Sequence, residues 1–569
     1  MSVTHAEVDY QKLVYPYRRH PDQDAAQPVH RPVVVVGAGP VGLSLAIDLA
    51  LQKIPVVLLD IDGSLSVGSR ALCFAKRTLE IFDRLGVGAR VVDKGVSWNV
   101  GRVFFRDEQL YQFNLLPESG HQMPAFVNLQ QYYVEGFLVE RALQLPLIDI
   151  RWHNEVVDIA QTDAGAQVRV HTPEGDYTLH ADYVAACDGA RSPIRRMLGQ
   201  ESKGRIFKDR FLIADVKMKA PFPAERWFWF DPPFHPGQSV LLHMQPDGVW
   251  RIDFQLGWDA DPELERTEAR IMPRVRALME QASIAAGGDG SVPEMDLVWA
   301  SVYTFACMRM DDFRHGRVFF AGDSAHGVSP FGARGANSGV QDAENLAWKL
   351  AWVIQGRAPD ALLDTYGRER EYAADENILN SSRATDFITP KSDISLMFRD
   401  AVLHLARDVD FARRIVNSGR LSLPSTLDGS TLNTAADVPF KGVMRPGAPA
   451  SDAPILIDGR PDWLLHQTRT GAFTALVFDG DQAQTAVDAI HAAFEGYPAP
   501  EVWVVSGSGV TQVQRARVLC DVDGLVAKRY DGQPGGMVLL RPDQHVCARW
   551  CQVDHAAVRS ALTAALAAH

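Results

Sequence analysis

A glycine-rich turn between an apolar strand and a helix constrains this 569-residue chain more than any other feature. The turn follows the apolar run Val33–Val36 and leads into a helical stretch that continues to Leu51, and it consists of Gly37, Ala38, Gly39, Pro40, Val41 and Gly42. Gly37 permits a tight turn, Gly39 lets the backbone approach a pyrophosphate, and Gly42 lets helix and strand pack closely. The pattern predicts a β-α-β unit that binds a dinucleotide at a helix N-terminus.

An acidic residue follows at the position where such a unit would meet a ribose. Asp60 ends the second predicted strand, Val56–Leu59, eighteen residues after Gly42. Its carboxylate can accept hydrogen bonds from ribose hydroxyl groups. The turn and the acid together predict a dinucleotide, and they leave both NAD and FAD open.

A second motif far downstream bears on that choice. A predicted strand, Val318–Ala321, ends in Gly322 and Asp323, and a glycine-bearing loop then opens a predicted helix, Asn337–Ile354. A carboxylate at this place can meet ribityl hydroxyls, and helix-end N–H groups can meet the O2 and N1 region of a flavin. The two motifs together favour an extended FAD.

Composition excludes several classes of function. Lys plus Arg is 57 and Asp plus Glu is 70, so the net charge of −13 gives no electrostatic footprint for nucleic acid. The longest apolar runs fall short of the roughly 18 residues of a membrane span, which predicts a cytoplasmic protein without a membrane partner. The six cysteines are spread along the chain, no histidine has metal-ligand spacing, and no metal is predicted.

The pattern of elements predicts an α/β fold with a Rossmann-like FAD-binding domain, an interleaved β-sheet domain, and a C-terminal α/β domain; the family resemblance given below implies that the sheet domain binds the substrate. The predicted divisions are an N-terminal arm at 1–31, the FAD-binding domain at 32–200 and 306–420, the substrate sheet at 201–305 with strands from 100–125, a linker at 421–450, and the C-terminal domain at 451–569.

Three further motifs complete a family pattern, namely Ser69-Arg70-Ala71, the stretch Gln131 to Glu135, and Cys187-Asp188-Gly189-Ala190-Arg191-Ser192. With them, nearly the whole chain resembles the class A flavoprotein monooxygenases, the aromatic hydroxylases of the para-hydroxybenzoate hydroxylase type. The segment Arg541 to Val546 is similar to the thioredoxin-like domain of 3-(3-hydroxyphenyl)propionate hydroxylases, phenol hydroxylase and polyketide hydroxylases. The C-terminal domain has no Cys-x-x-Cys, so thiol redox activity is not expected of it.

The resemblance implies FAD, NADPH or NADH as cosubstrate, O2, and a small phenolic substrate hydroxylated through a flavin C4a-hydroperoxide. It also implies a homodimer. For the cofactor it implies Asp60 on the adenosine ribose, Arg70 on the phosphates, Gln131 near the ribityl chain and Asp323 on the ribityl hydroxyls. Asp188 would lie in a motif shared by FAD and pyridine nucleotide, and Gly335, Ala336 and Asn337 would meet the flavin ring through their backbone. Pro330 matches a proline whose carbonyl borders the substrate hydroxyl.

The sequence departs from the family pattern beside the expected flavin. Ser329 stands where many members have a proline, and Arg334 stands where many have Gln, so both bear on substrate preference; Arg334 is therefore a candidate catalytic residue. His326 is a candidate base, with the satisfaction of a backbone group as the alternative. A flavin reductase without oxygen insertion, or a flavin-binding protein without turnover, are the alternative functions.

Two features of the predicted substrate sheet remain ambiguous in sequence. An aromatic cluster surrounds a Pro-rich turn, and it predicts either core packing or an apolar pocket for an aromatic ring: Trp227, Phe228, Trp229, Phe230 and Phe234. Arg251 alternates with Trp250 and Ile252, so it is expected on the opposite face, which is interpreted as solvated, with pairing to a substrate carboxylate as the alternative.

Overall fold

An eight-stranded sheet organises the N-terminal half of the protein. The structure is a computed structural model, and it describes residues 9–66, 71–416, 422–436, 440–509 and 511–568. Five strands of this first sheet are parallel, with Val29–Val36 at the centre. Across the sheet the strands run Arg314–His315, Val318–Phe320, Gly175–Ala186, Val29–Val36, Val56–Asp60 and Ile148–Trp152, with Gly165–Thr172 and Glu155–Thr162 as an antiparallel extension.

The first sheet is buried because helices cover it, as the continuous apolar strands require. Val33, Val34 and Val35 in the central strand have no accessible surface. The helices that belong to this half and to the return of the chain are Pro40–Leu51, Lys76–Leu85, Gly88–Lys94, Gln131–Leu143, Pro193–Met197, Gly335–Ile354, Ala361–Ile388, Asp393–Ala406 and Asp410–Val416.

A seven-stranded sheet forms the second layer of structure. Its order is Met295–Tyr303, Arg210–Met218, Val249–Leu256, Ser239–Met244, Arg226–Phe230, Val100–Phe105 and Glu108–Asn114. The helix Glu268–Ala285 packs its apolar side on one face of this sheet, preceded by the short helix Pro262–Glu265. Two three-stranded sheets lie near it, one of Ser202–Ile206, Ala306–Met310 and His326–Gly327, the other of Cys73–Ala75, Phe126–Asn128 and Val96–Trp98.

The C-terminal residues form a third sheet with its own helices. The strands run Arg460–Trp463, Pro454–Ile457, Arg517–Cys520, Glu501–Ser506, Thr474–Phe478, Met537–Leu540 and Val546–Trp550, and the helices are Ala483–Ala493, Leu525–Tyr530 and His555–Ala565. The middle strands are parallel and the last two are antiparallel. A thioredoxin-like relationship of this domain stays a prediction.

A fully buried ionic network joins the C-terminal domain to two long helices. Arg541 Nη1 lies 2.6 Å from Glu369 Oε1 and its Nη2 lies 2.7 Å from Asp543 Oδ2. Lys349 Nζ lies 2.7 Å from Glu369 Oε2, and Asn345 Nδ2 donates to Asp543 at 3.1 Å. Burial opposes ionisation here, but Arg541 and Lys349 hold the pKa of Glu369 below its usual value. The two domains are therefore joined by buried charges, and the loss of one partner would leave the others uncompensated.

Two sequence expectations about strands were wrong. The first strand begins at Val29, inside the expected arm, because Val29 to Arg31 already pair with the strand Gly175–Ala186 whereas pairing on the other side starts only at Val33. Pro32 therefore lies inside the strand and not before its first residue. The interpretation of Arg251 as solvated was also wrong, since it is 3% exposed and its guanidinium bonds both carboxylate oxygens of Asp215 at 2.7 and 2.8 Å. The face is opposite to Trp250, as expected, but protein covers it.

No helix in the described part of the chain is long and apolar enough to cross a membrane.

Candidate active site

The glycine turn of the first β-α-β unit leaves one open space beside the backbone. A Cβ on Gly37 would lie 2.4 Å from the Cys187 carbonyl oxygen, and one on Gly42 would lie 1.9 Å from the Gly37 oxygen. A Cβ on Gly39, at the start of the helix Pro40–Leu51, would meet nothing within 4 Å. The turn is therefore closed on its protein side and open at Gly39, the geometry that a bound pyrophosphate needs.

Contacts through Val41 bring the two glycine motifs together. A Cβ on Gly322 would lie 2.9 Å from Val41 Cγ2, and a Cβ on Gly339 would lie 2.7 Å from the same atom. Only glycine at these positions allows the helix Gly335–Ile354 and the turn at Gly322 to approach the first helix so closely. One extended dinucleotide can consequently reach both motifs.

Asp60 is fixed beside the open turn. Its Oδ2 accepts the N–H of Ala38 at 2.6 Å and its Oδ1 accepts the N–H of Asp62 at 2.8 Å. Burial raises the pKa of Asp60, and these two backbone donors oppose that effect. The carboxylate is held at the strand end, where a ribose would reach it.

Gln131 starts a polar network at the helix Gln131–Leu143. Its Oε1 accepts the N–H of Ala71 at 3.0 Å, and its Nε2 donates to Ser66 Oγ at 3.0 Å and to Glu135 Oε1 at 2.7 Å. Glu135 also accepts the N–H and hydroxyl of Ser66 at 2.8 and 2.7 Å. The network holds both sides of residues 67–70. The predicted phosphate ligand Arg70 and its neighbour Ser69 lie outside the described residues.

Asp188 carries a buried oxygen atom that the protein does not satisfy. Its Oδ2 accepts from Ser192 Oγ at 2.8 Å and from the N–H of Ile194 at 3.2 Å. Its Oδ1 is buried and has no hydrogen-bond partner among the described residues, and burial raises the pKa of this carboxyl. Such an orphaned acceptor fits a site completed by a bound group.

Asp342, in the helix Gly335–Ile354, holds the Gly322–Ser324 turn in place. Asp342 Oδ2 accepts the N–H of Gly322 at 2.9 Å and lies 2.7 Å from His326 Nε2, while Arg370 Nε donates to Oδ1 at 2.6 Å. Burial alone would raise the pKa of Asp342, but His326 and Arg370 lower it. Asp323 points outward from this turn and is exposed, whereas His326 is 2% exposed and stacks on Phe313.

The loop after this turn ends at the N-terminus of the helix Gly335–Ile354. Pro330 is exposed, and its carbonyl accepts the N–H of Ala333 at 3.1 Å. Asn337 ties the helix start to a neighbouring strand, because its Oδ1 accepts the N–H of Ala75 and its Nδ2 donates to the Cys73 carbonyl, both at 2.8 Å. Gly335 and Ala336 keep accessible surface in the first turn, where N–H groups lack helical acceptors.

Ser329 and Arg334, the two residues that depart from the family pattern, form hydrogen bonds with the helix Ala361–Ile388. Arg334 is 5% exposed, and its Nη1 donates to Asn377 Oδ1 at 2.7 Å. Burial lowers the pKa of Arg334 to about 10, so its charge persists at neutral pH. Ser329 is fully buried and accepts a hydrogen bond from Thr385 Oγ1 at 3.0 Å. Both residues thus fix the loop to a helix.

The second sheet turns its other face toward this loop. We call this the inner face, and its side chains alternate with those that pack on the helix Glu268–Ala285: Phe211, Arg226, Phe228, Phe230, His243, Arg251, Asp253 and Gln255. Phe211 contacts Phe331 of the loop, with ring centroids 4.8 Å apart. His243 Nδ1 lies 3.7 Å from Cys73 Sγ. The aromatic cluster is divided accordingly, with Trp227, Trp229 and Phe234 in the helix-side core and Phe228 and Phe230 on the inner face.

Sequence reasoning assigned no role to three residues of this region. Glu135 is the acceptor of the Ser66 network, Asp342 holds the Gly322 turn, and Asp253 lies on the inner face. The first stands four residues after Gln131, one helical turn away, and that spacing could have identified it. Within the described residues no group of three or more His, Cys, Asp or Glu side chains is placed to hold a metal ion.

Comparisons with known proteins identify the family to which the chain belongs. The family model described as "FAD binding domain" matches residues 30–381. The chain belongs to this FAD-binding family. It is a flavin-dependent monooxygenase, and FAD is its cofactor.

Relatives and solved structures of the family extend over most of the chain. A 3-(3-hydroxy-phenyl)propionate/3-hydroxycinnamic acid hydroxylase of Mycobacterium sp. (strain JLS) is 27% identical over 539 residues, which cover 90% of this chain and 88% of the relative. A 6-methylpretetramide 4-monooxygenase of Streptomyces rimosus is 29% identical over 557 residues, covering 93% and 91%. The flavin-dependent monooxygenase PieE, solved with FAD and substrate, superposes with a TM-score of 0.77 at 22% identity, covering 95% of this chain and all of PieE. That likeness shows the shared fold.

The residues of this family member fit FAD. A Cβ on Gly37 would lie 3.2 Å from the Asp188 Cα, and Val41 packs against Gly322 and against Gly339 of the helix that begins at Gly335, so the glycine turn adjoins both Asp188 and this helix. An extended dinucleotide with a flavin at one end would satisfy all three.

Proposed function

We propose that the protein uses NADPH or NADH and O2 to hydroxylate a small phenolic aromatic compound. One observation carries the proposal: an aromatic face of the second sheet meets the loop that precedes the helix N-terminus. Phe211 and Phe305 both contact Phe331, at 4.8 and 5.7 Å between ring centroids. An apolar wall of aromatic side chains beside a few polar groups is the kind of pocket that takes an aromatic ring.

The chain's own residues bind the cofactor and exclude water. We assign Asp60 to the adenosine ribose, Asp323 to the ribityl hydroxyls, and the backbone of Gly335, Ala336 and Asn337 to the flavin ring. FAD supplies electron transfer from the nicotinamide and activation of O2. The helix N-terminus places partial positive charge where negative charge develops on the flavin, and the aromatic face keeps water from the reacting atoms.

The remaining site residues take supporting roles in this proposal. Pro330 borders the substrate hydroxyl, and Arg334 shapes the loop beside it from its bond to Asn377. We assign His326 as a positioning residue, because its Nε2 is bonded to Asp342 under the Gly322 turn. The relatives are named for 3-(3-hydroxy-phenyl)propionate and 3-hydroxycinnamic acid and for 6-methylpretetramide, and the first two names support a substrate with a phenolic ring.

The test is oxidation of NADH and NADPH by the purified yellow protein with phenols, phenylpropionates and hydroxybenzoates, with product masses recorded. A gain of one oxygen with one of these compounds is the expected result. Nicotinamide oxidation that yields only a reduced acceptor, with no oxygen inserted into any compound, would show a reductase instead.

Replacing Asp323 with alanine is expected to weaken FAD retention by about 10- to 100-fold. The loss of hydrogen bonds from ribityl hydroxyls to a charged acceptor is worth about 1.5–3 kcal/mol. Equilibrium dialysis of FAD measures it, with Asp312→Ala, another exposed aspartate shortly before the strand Val318–Phe320, as the control. An Asp323→Ala protein that stays fully yellow and active would contradict the assignment.

Replacing Arg334 with glutamine is expected to leave FAD bound and to change the fraction of NAD(P)H oxidation that yields hydroxylated product. The buried guanidinium holds the loop through Asn377, and glutamine is shorter and uncharged. Product and hydrogen peroxide are measured together, and Arg383→Gln, an exposed position on the same helix as Asn377, is the control. Unchanged coupling and unchanged substrate preference would remove Arg334 from the site.

Assembly and location complete the proposal. We place the enzyme in the cytoplasm, where the nicotinamide cosubstrate is available, and expect a homodimer. Light scattering that gave a mass near that of a single 62.8 kDa chain would oppose the dimer.

A further inference from the structure

One carboxyl group on the inner face has no partner. Asp253 lies in the middle of the strand Val249–Leu256, and its cross-strand neighbours on the inner face are Leu241 and Ile213, which are apolar. No hydrogen bond or ion pair joins its side chain to any other residue that the structure describes, and its Oδ1 is buried without a partner. An unsatisfied buried carboxylate costs free energy, so it calls for a ligand.

The other polar side chains on the same strand face are fully engaged. Arg251 is bonded to Asp215 through both oxygens. Gln255 Oε1 accepts the N–H and the hydroxyl of Ser239 at 3.0 and 2.9 Å. Asp253 stands between them in the alternation of the strand, and it is the polar side chain of this strand face without a partner among the described residues.

Asp253 lies on the inner face between two contacts that join the sheet to the flavin-binding loop and to the start of the helix Gly335–Ile354. On one side of it, His243 approaches Cys73, whose carbonyl accepts from Asn337 at the helix start. On the other side, Phe211 contacts Phe331 of the loop. Asp253 lies in the row between these two contacts and is half-buried, although its strand is paired on both sides. Asp253 therefore keeps accessible surface on a strand that has neighbours on both sides.

The charges around Asp253 suit an anion that forms next to it. Arg226 lies on the inner face directly opposite His243, and within the described residues its guanidinium forms no ion pair. His243 is 3% exposed, its Nε2 has no partner in the described structure, and burial holds its pKa well below the usual value, so the imidazole is neutral. Burial also raises the pKa of Asp253 to about 6, against the lowering effect of Arg251 and Arg226. The carboxylate is thus ionised at neutral pH and is a stronger base than an exposed aspartate.

We propose that Asp253 accepts the proton of the substrate's phenolic hydroxyl and that Arg226 stabilises the phenolate that results. The O–H bond of the phenol breaks, an O–H bond forms on the Asp253 carboxylate, and the negative charge passes from the aspartate to the phenolic oxygen. The negative charge of the phenolate makes its aromatic ring electron-rich, and this ring accepts the oxygen atom. The inference rests on the proposed hydroxylation and assigns the group that removes the proton.

The titratable and charged groups that face Asp253 come from every neighbouring element: Arg251 on its own strand, Asp215 and Arg226 and His243 on other strands of the sheet, Tyr303 on the strand Met295–Tyr303, and Cys73 from the strand Cys73–Ala75. Burial raises the pKa values of Tyr303 and Cys73 and lowers that of His243, so all three stay neutral around pH 6. Compared with these three groups, Asp253 is the one that changes charge there.

The test uses the FAD-loaded enzyme and the variants Asp253→Asn and Asp253→Glu. Asp296→Asn, an exposed aspartate in the same sheet, is the matched control. Resorcinol, 3-(3-hydroxyphenyl)propionate and the more acidic 4-nitrophenol serve as probes. We expect Asp253→Asn to retain FAD and to lower hydroxylation of the first two phenols by at least about 100-fold. The loss is expected to be smaller for 4-nitrophenol, which ionises without help, and Asp253→Glu is expected to recover part of the activity.

A pH profile separates proton transfer from packing. As the pH falls through about 6, the Asp253 carboxylate becomes protonated and can no longer accept a proton, so wild-type kcat/KM should fall on the acid side. Asp253→Asn should lack this limb. An Asp253→Asn enzyme within threefold of wild type with the limb intact, or one equally impaired with all three phenols, would overturn the inference while hydroxylation stands. Wild-type enzyme that inserts oxygen into no phenol would overturn the proposed function itself, and this assignment with it.

Discussion

Replacing Gly39 with aspartate is expected to abolish FAD retention while the apoprotein stays folded. Gly39 has φ −75° and ψ −178°, a conformation open to any residue, and a Cβ there meets nothing within 4 Å. It is also the residue before the first turn of the helix Pro40–Leu51, a position where aspartate stabilises a helix. The new carboxylate would occupy the space of the pyrophosphate and repel it. We expect FAD to bind at least about 100-fold more weakly, roughly 2.7 kcal/mol.

Two further variants separate size, charge and location. Gly39→Asn has nearly the same volume without the charge, so it should bind FAD less weakly than Gly39→Asp. Gly257→Asp places the same side chain at another glycine with open space around it, outside the glycine turn, and should bind FAD normally. FAD titration and apoprotein thermal unfolding are the two measurements. A Gly39→Asp protein with a wild-type FAD content would show that the pyrophosphate lies elsewhere.

Replacing Arg541 with alanine is expected to lower the free energy of unfolding by about 3–5 kcal/mol. Arg541 has almost no accessible surface and pairs with both Glu369 and Asp543, so its removal leaves two buried carboxylates with Lys349 as the remaining nearby cation of the network. Because the network joins the C-terminal domain to two helices of the FAD-binding domain, we also expect that domain to become more sensitive to proteolysis.

An exposed ion pair provides the comparison for that prediction. Arg445 lies 2.7 Å from Asp428, and both side chains are about half exposed. Arg445→Ala should cost less than about 1 kcal/mol, because solvent screens such a pair. Denaturant titration measures both variants. Equal, small effects for Arg541→Ala and Arg445→Ala would show that the buried network does not hold the domains together.

The sequence predicted those parts of the site whose geometry depends on neighbouring residues in the chain. The turn at Gly37 to Gly42 and the acid at Asp60 lie within one β-α-β unit, so their spacing alone defined the strand, the turn and the helix. The turn at Gly322 was predicted for the same reason. The protein-family resemblance then supplied FAD and monooxygenase activity, and the comparisons confirmed both.

The sequence did not predict the burial or the contacts of residues that are covered by a distant part of the chain. Arg251 and Asp253 alternate with apolar residues, and that pattern fits a strand with one solvated face equally well. The covering loop around Phe331 lies nearly 80 residues further along the chain. Asp342 and His326 are both recognisable as polar residues, but their bond depends on how a turn folds back on the following helix.

The strand order of the first sheet implies a delay during synthesis of the chain before two neighbouring strands can pair. Val318–Phe320 pairs with Val184 to Ala186, and all strands of the second sheet after Asn114 are made in the interval between them. At the usual speed of translation, the roughly 130 intervening residues take about 7 to 26 s to emerge. During that time the edge at Val184 to Ala186 that later pairs with Val318–Phe320 is unpaired, so the nascent chain has a short open strand edge that a chaperone could cover and that slower translation would leave open for longer.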